Sequence, residues 1–291
     1  MHRYFLETSY KGTNYSGFQV QENANSIQTE IEKAIETFFK QKIDLTGSSR
    51  TDAGVHALQN FFHFDTELNI TEKDLYRLNA ILPNDIIAKN IIAVKPDAHC
   101  RFDALSREYQ YFIYRSKDPF KADRAWFYPY HLDLNILEEA ATIIKSYNDF
   151  TSFSKRNTQV KNFICSIDYS EWTMKDNCMI YTVRSNRFLR GMVKGLVGTM
   201  IKAGRKLITL DQFKNIIEAK DCTEANFIPP AHGLFLVTRK THLKKRLRTV
   251  SYNSFQLVVL QKTKAIALFF LMTEMILKSS LSMMVLVMKL S

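Results

Sequence analysis

The 291-residue chain is poor in the residues that build stapled or spanning folds. It has four cysteines, Cys100, Cys165, Cys178 and Cys222, widely separated and with no C-x-x-C pair. That spacing argues against a disulfide framework and against a cysteine-pair zinc site, and it suits a reducing compartment. Nine glycines and six prolines exclude collagen-like and low-complexity chains. The first residues, MHRYFLETSYKG, read as a strand and lack the apolar core of a signal peptide, so a cytoplasmic protein is expected. The longest uncharged piece near AIALFFLMT is too short to span a bilayer, and no membrane partner is expected.

What is present is a globular composition, 46% hydrophobic and 24% charged, with a net charge of +11. Such a charge invites a nucleic-acid partner, but it is unevenly spread. Residues 239–291 hold ten Lys/Arg and one acidic residue, Glu274, which leaves 30 basic and 28 acidic residues in 1–238, a net of +2. The body is therefore nearly balanced, and local placement must carry any RNA argument. Residues 239–291 also contain no Gly, Pro or Asp and pass from a basic run, RKTHLKKRLR, to an apolar one. They read either as a basic amphipathic appendage or as a tail unrelated to the body, even a read-through in the wrong frame.

Patterning in 1–238 predicts an α+β fold. Strands are expected at RYFLETSY, KIDLTG, ALQNFFHFD and IIAKNIIAV. A helix at about 26–40 would be capped by Asn25, with Ile27, Ile31, Ala34, Ile35 and Phe38 as its apolar stripe. Another would be capped by Thr71. The second half repeats the order. Strands REYQYFIYR, NFICSIDYSEW, CMIYTVRS and HGLFLV alternate with a helix capped by Asp133, a long helix NRFLRGMVKGLVGTMIKAG, and one opening at Thr209 and Gln212. Two β-α-β-β-α-β passes imply two related halves, 1–105 and 106–238, each a sheet with helices on one face.

The stretch GSSRTDAGVHALQNFFHFD concentrates chemistry between two strands. Arg50 and Asp52 stand two apart, so extended backbone points them the same way. A neighbouring arginine keeps a carboxylate ionised, and an ionised, positioned aspartate is a nucleophile. The same residues also fit an ordinary Asp-Ala-Gly turn with a surface ion pair. Arg187, Arg190 and Lys194, at i, i+3 and i+7 of the expected long helix, would form a basic stripe suited to phosphates. His56 and His63 read as structural hydrogen-bonders and Cys100 as a small buried residue.

RTDAGVHA resembles the signature of the tRNA pseudouridine synthase A family. So do KGTNYSGFQVQ, NAILPNDI with HCRFDALSREYQYFIY, SNRFLRGMVKGLVGTMIKAGR and PPAHGLFLV, in family order over about 1–238. The resemblance implies a pseudouridine synthase-like fold, with sheets flanking a central RNA-binding cleft and helices on the outer faces. It also implies isomerisation of uridine to pseudouridine at positions 38, 39 and 40 of the tRNA anticodon stem-loop, by a homodimer needing no cofactor and no metal. On this resemblance Asp52 is the catalytic residue and Arg50 pairs with it and helps hold the flipped nucleotide. Tyr109 stacks on the target base, Lys194 pairs with the aspartate, and Leu234 walls the pocket; Arg190, from the basic stripe, is expected to contribute to substrate binding. Three positions depart from the family's habit: Ser49 stands where Gly is usual, Phe18 where Trp is common, and Lys194 where Arg is common. The carboxylate can attack the ribose, add to the ring, or take a sugar proton to give a glycal, and the residues leave these routes open. Two other functions fit parts of the sequence: a catalytically silent tRNA-binding module or chaperone, and an aspartate hydrolase. The second lacks paired acids and metal ligands, Asp65 being the nearest following acid to Asp52.

Overall fold

The computed structural model describes residues 1–156 and 160–241. In chain order the strands are β1 (His2–Tyr10), β2 (Thr46–Gly47), β3 (His56–Thr66), β4 (Ile86–Val94), β5 (Ala104–Tyr114), β6 (Trp126–Phe127), β7 (Ile167–Lys175), β8 (Cys178–Ser185) and β9 (Leu234–Thr241). The helices are α1 (Ile27–Phe39), α2 (Glu72–Ile81), α3 (Leu134–Ile144), α4 (Met192–Gly204) and α5 (Leu210–Glu218). Among the described residues no helix is long and apolar enough to cross a membrane.

Period-2 patterning suggests a separate sheet for each half, but the strands share one. Its order is β4-β1-β3-β9-β5-β8-β7, with β2 added on β3 and β6 on β5. The joint is a short parallel pairing of β3 with β9, His56 opposite Phe235 and Ala57 opposite Leu236. A join of two register pairs carries no hydrophobic period of its own, so alternation could not reveal it. Counting only strands from one half, the orders are β4-β1-β3-β2 and β9-β5-β8-β7.

Alternation along each strand sorts side chains to two faces. Leu6, Phe62, Phe64, Tyr111 and Tyr181 enter a large core to which all five helices contribute, while Phe5, Phe61, Val94, Ala98 and Cys100 form a small cluster of their own. The α1 stripe is buried at Ile27, Ile31, Ala34 and Ile35, with Phe38 only half-buried.

Several boundaries differ from the sequence expectation. Ser26, not Asn25, caps α1, its hydroxyl accepting the Thr29 N–H at 3.1 Å. Thr71 with Asp74 and Thr209 with Gln212 form the capping boxes their spacing announces. The KIDLTG strand shrinks to Thr46–Gly47, and β7 begins at Ile167, later than NFICSIDYSEW suggests. The long helix begins at Met192, because Gly191 takes φ +76 and ends the preceding turn. Arg187 and Arg190 therefore precede the helix, and the expected helical stripe with Lys194 is not formed. β9 runs on to Thr241, taking in the first three residues of the expected tail; residues 242–291 lie outside the described residues.

Candidate active site

The loop carrying Asp52 is held from four sides. Asn60, fully buried on β3, donates to the Ser49 carbonyl at 2.8 Å and accepts the Ser49 N–H at 3.3 Å. Its amide also donates to the Tyr10 hydroxyl at 3.1 Å. Tyr10 in turn meets the Thr51 hydroxyl at 2.8 Å, drawing Thr51 inward, and burial pushes the Tyr10 phenol up to about 12. The Thr51 carbonyl accepts the Phe18 N–H at 3.1 Å. Residues 52–55 then close a turn, the Val55 N–H reaching the Asp52 carbonyl at 3.2 Å with Gly54 at φ +77, which only glycine adopts without strain.

The segment KGTNYSGF lies against this loop. A Cβ on Gly12 would stand 2.1 Å from the Val55 carbonyl oxygen, so the backbones touch there. Gly47 is required by Phe18, whose ring a Cβ would meet at 2.2 Å. Phe18 stacks on Phe62 at 4.7 Å and fills its place as a fully enclosed ring. Ser49 does not adopt positive φ, so its substitution for glycine does not strain the backbone. The cost falls elsewhere: the buried Ser49 hydroxyl, like that of Ser48, has no hydrogen-bond partner among the described residues, at about 1–3 kcal/mol.

His56 links the loop to the other half. Its Nδ1 accepts the Gly12 N–H at 3.0 Å, which leaves Nε2–H to donate to the His232 carbonyl at 3.0 Å. Burial holds this imidazole below its ordinary value. Both ring nitrogens are thus committed to backbone.

Asp52 and Arg50 are exposed beside the inward Thr51. Among the described residues neither forms an ion pair, so the expected Arg50–Asp52 and Lys194–Asp52 contacts are not made. An exposed pair gains little in water and surrenders side-chain entropy to form. Tyr109 and Lys194 nevertheless lie within the field of Asp52. The Tyr109 phenol is raised well above its usual value, first by burial and then by the charges of Tyr10 and Asp52, against the opposing pull of Arg107. The Lys194 ammonium is lowered by burial and by Lys155, while Asp52 opposes the shift. Tyr109 sits on β5 with its ring edge-on to Phe188 at 5.0 Å. Leu234 opens β9 opposite Tyr111 and is buried, and Leu236 stands opposite Tyr109. Arg190 is exposed in the turn before α4, where its carbonyl accepts the Lys155 N–H at 3.0 Å.

Sequence reasoning missed Asn60, Lys155 and Arg107. Arg107 donates to the Asn186 carbonyl at 2.9 Å and the Arg101 carbonyl at 3.1 Å, and its guanidinium is lowered by burial. It opens the R-x-Y-x-Y block, so its signal was in view. Nothing in the sequence separates Asn60 from any other strand asparagine.

A sequence profile described as tRNA pseudouridine synthase matches residues 8–103 and 147–240. The chain belongs to the tRNA pseudouridine synthase family. The family's reaction is the isomerisation of uridine to pseudouridine in tRNA. Relatives named tRNA pseudouridine synthase A are similar over most of their length. That of Parabacteroides distasonis is 42% identical over 239 residues, covering 81% of this chain and 95% of the relative. That of Bacteroides fragilis is 44% identical over 241 residues, covering 81% and 94%. That of Staphylococcus aureus strain N315 is 36% identical over 237 residues, covering 80% and 89%. The synthase match reaches Lys240, within β9, and so spans the Asp52 loop, Lys194 and Leu234.

Proposed function

We propose that this synthase isomerises uridines 38, 39 and 40 of the tRNA anticodon stem-loop with Asp52 as its catalytic carboxylate. The observation that carries the assignment is the exposed Asp52 on a loop held by Asn60, Tyr10 and Gly12, with the field of its carboxylate reaching Tyr109 and Lys194. The reaction exchanges an N1–C1′ bond for a C5–C1′ bond, and the proton lost from C5 is balanced by one gained at N1. No group enters or leaves, so a positioned carboxylate and a means of holding the detached base suffice, without cofactor.

The target base must leave the helical stack, at a cost of a few kcal/mol. Tyr109 offsets part of that by stacking, worth about 1–3 kcal/mol, and its raised phenol stays neutral beside the carboxylate. Leu234 closes the apolar side. Arg50, Lys155, Arg190 and Lys194 supply cations for phosphates, and Arg50 and Lys194 close on Asp52 when RNA excludes water and strengthens their attraction. The matching strand orders of residues 1–105 and 106–238 support two related halves around one cleft, helices outward. The synthase acts as a cytoplasmic homodimer, and the segment after β9 stands apart from the chemistry.

The test is Asp52→Asn with unmodified tRNA. We expect pseudouridine formation to vanish while tRNA affinity stays within a few-fold of the parent. Retention of a tenth of the parent turnover would remove Asp52 from its role. A parent protein that binds tRNA but never modifies it would mark a silent binding module.

A further inference from the structure

Residues 95–103, between β4 and β5, cross the sheet over the small cluster of Phe5, Phe61, Val94, Ala98 and Cys100. Arg3, paired with Asp65, pins this segment by donating to the Ala98 carbonyl at 3.0 Å. At its far end His63 of β3, His99 and Cys100 each offer a ligand atom, and the three atoms lie within 4.8 Å of one another. His63 and Cys100 are buried and His99 is half-buried. The two imidazole rings are 4.5 Å apart, and Cys100 Sγ is already 3.2 Å from His63 Nδ1.

We propose that His63, His99 and Cys100 bind a divalent transition-metal ion, Zn²⁺ by their chemistry, which clasps the 95–103 segment to β3. Two imidazole nitrogens and one thiolate form a donor set that suits Zn²⁺. Tetrahedral Zn–N and Zn–S bonds place such ligands roughly 3.3–3.6 Å apart, a contraction that side-chain rotation supplies. Each ring already presents a lone pair. His63 Nδ1 accepts the Cys100 N–H at 3.4 Å, and His99 Nδ1 accepts the Arg101 N–H at 3.1 Å. These bonds, and the Cys100 thiol's donation to the Thr46 carbonyl at 3.2 Å, are what the metal would displace. The thiol releases its proton to solvent as the metal–sulfur bond forms, and water completes the fourth position. His63 lies seven residues along β3 from His56, about 23 Å at the rise of a strand. The metal would therefore steady the 95–103 connection from β4 to β5, far from the Asp52 loop, and take no part in the isomerisation.

The full chain, stripped with chelator, is titrated with Co²⁺ and then with competing Zn²⁺. We expect one equivalent of Co²⁺ with a thiolate charge-transfer band, displaced by Zn²⁺. The band should vanish in Cys100→Ser and persist in Cys222→Ser, and His99→Gln should weaken binding at least tenfold. Absence of the band in the parent, or its survival in Cys100→Ser, overturns the assignment. Should Cys100→Ser fail to fold by circular dichroism, the half-exposed His99→Gln decides, and unchanged affinity there overturns the assignment equally.

Discussion

Replacing Asn60 by alanine should cripple the synthase without touching any group that meets RNA. The side chain is fully buried and is paired with both the N–H and the carbonyl of Ser49. Its loss orphans the two Ser49 backbone groups at about 1–3 kcal/mol each and also removes the acceptor of the Phe61 N–H at 2.9 Å. The Tyr10 hydroxyl keeps Thr51 as a partner and adds little. The sum is roughly 2–6 kcal/mol, a large share of the 5–15 kcal/mol typical of a domain. Water entering the vacated space sets the lower end. Urea unfolding followed by circular dichroism gives the stability change, and single-turnover pseudouridine formation well below the melting temperature gives the effect on the loop. Asn60→Asp is the discriminating control. It matches the parent in size and still accepts the Ser49 N–H, but sets an oxygen where the amide stood 2.8 Å from the Ser49 carbonyl. It should be at least as damaging as alanine. A loss below about 1 kcal/mol in the alanine variant, or an aspartate variant close to the parent, would refute the claim that hydrogen bonding to Ser49 holds the loop.

Gly12→Ala should destabilise by about 1–3 kcal/mol and slow catalysis, because its Cβ would stand 2.1 Å from the Val55 carbonyl; melting and turnover measured together check this. The His56 imidazole is lowered in the fold by burial, so the unfolded chain takes up the proton first. Stability should therefore fall as pH drops through about 6.5 and below, and His56→Gln should remove its share of that limb from a pH–stability profile. Removal of residues 242–291 should leave single-turnover pseudouridine formation intact while weakening non-specific RNA binding and reducing its salt slope, as fewer counterions are released. A truncated protein that binds tRNA yet cannot modify it would place the tail in the active site.

The elements legible in the sequence were those whose signal is local. Capping boxes at Thr71 and Thr209 and the alternation of β1, β3, β5 and β8 are written in neighbouring residues. The start of α4 was not, because Phe188 and Leu189 extend the apolar period backward while the backbone turns at Gly191. The proposed site rests on residue types read from RTDAGVH and its companion blocks. Its support at Asn60 was not legible, since that residue acts through partners far along the chain; His56 was readable as a structural hydrogen-bonder, but its partners Gly12 and His232 were not. Nor could spacing tell that Arg50 and Asp52 would face water without touching. The His63–His99–Cys100 grouping has no cysteine-pair spacing to announce it, because His63 stands on a strand 37 residues upstream of Cys100.

The parallel junction of β3 and β9 fixes when the enzyme becomes an enzyme. His56 and its acceptor at His232 are 176 residues apart, so the contact waits for most of the chain. At about 5–20 residues per second, the ribosome delivers the Asp52 loop roughly 10–35 s before the strand that braces it. During that interval the nascent chain carries the carboxylate proposed as catalytic without the β9 residues Leu234 and Leu236. Competence for RNA is thus deferred to the end of synthesis, and a product terminated before Pro230 would carry Asp52, Tyr109 and Lys194 yet never assemble them.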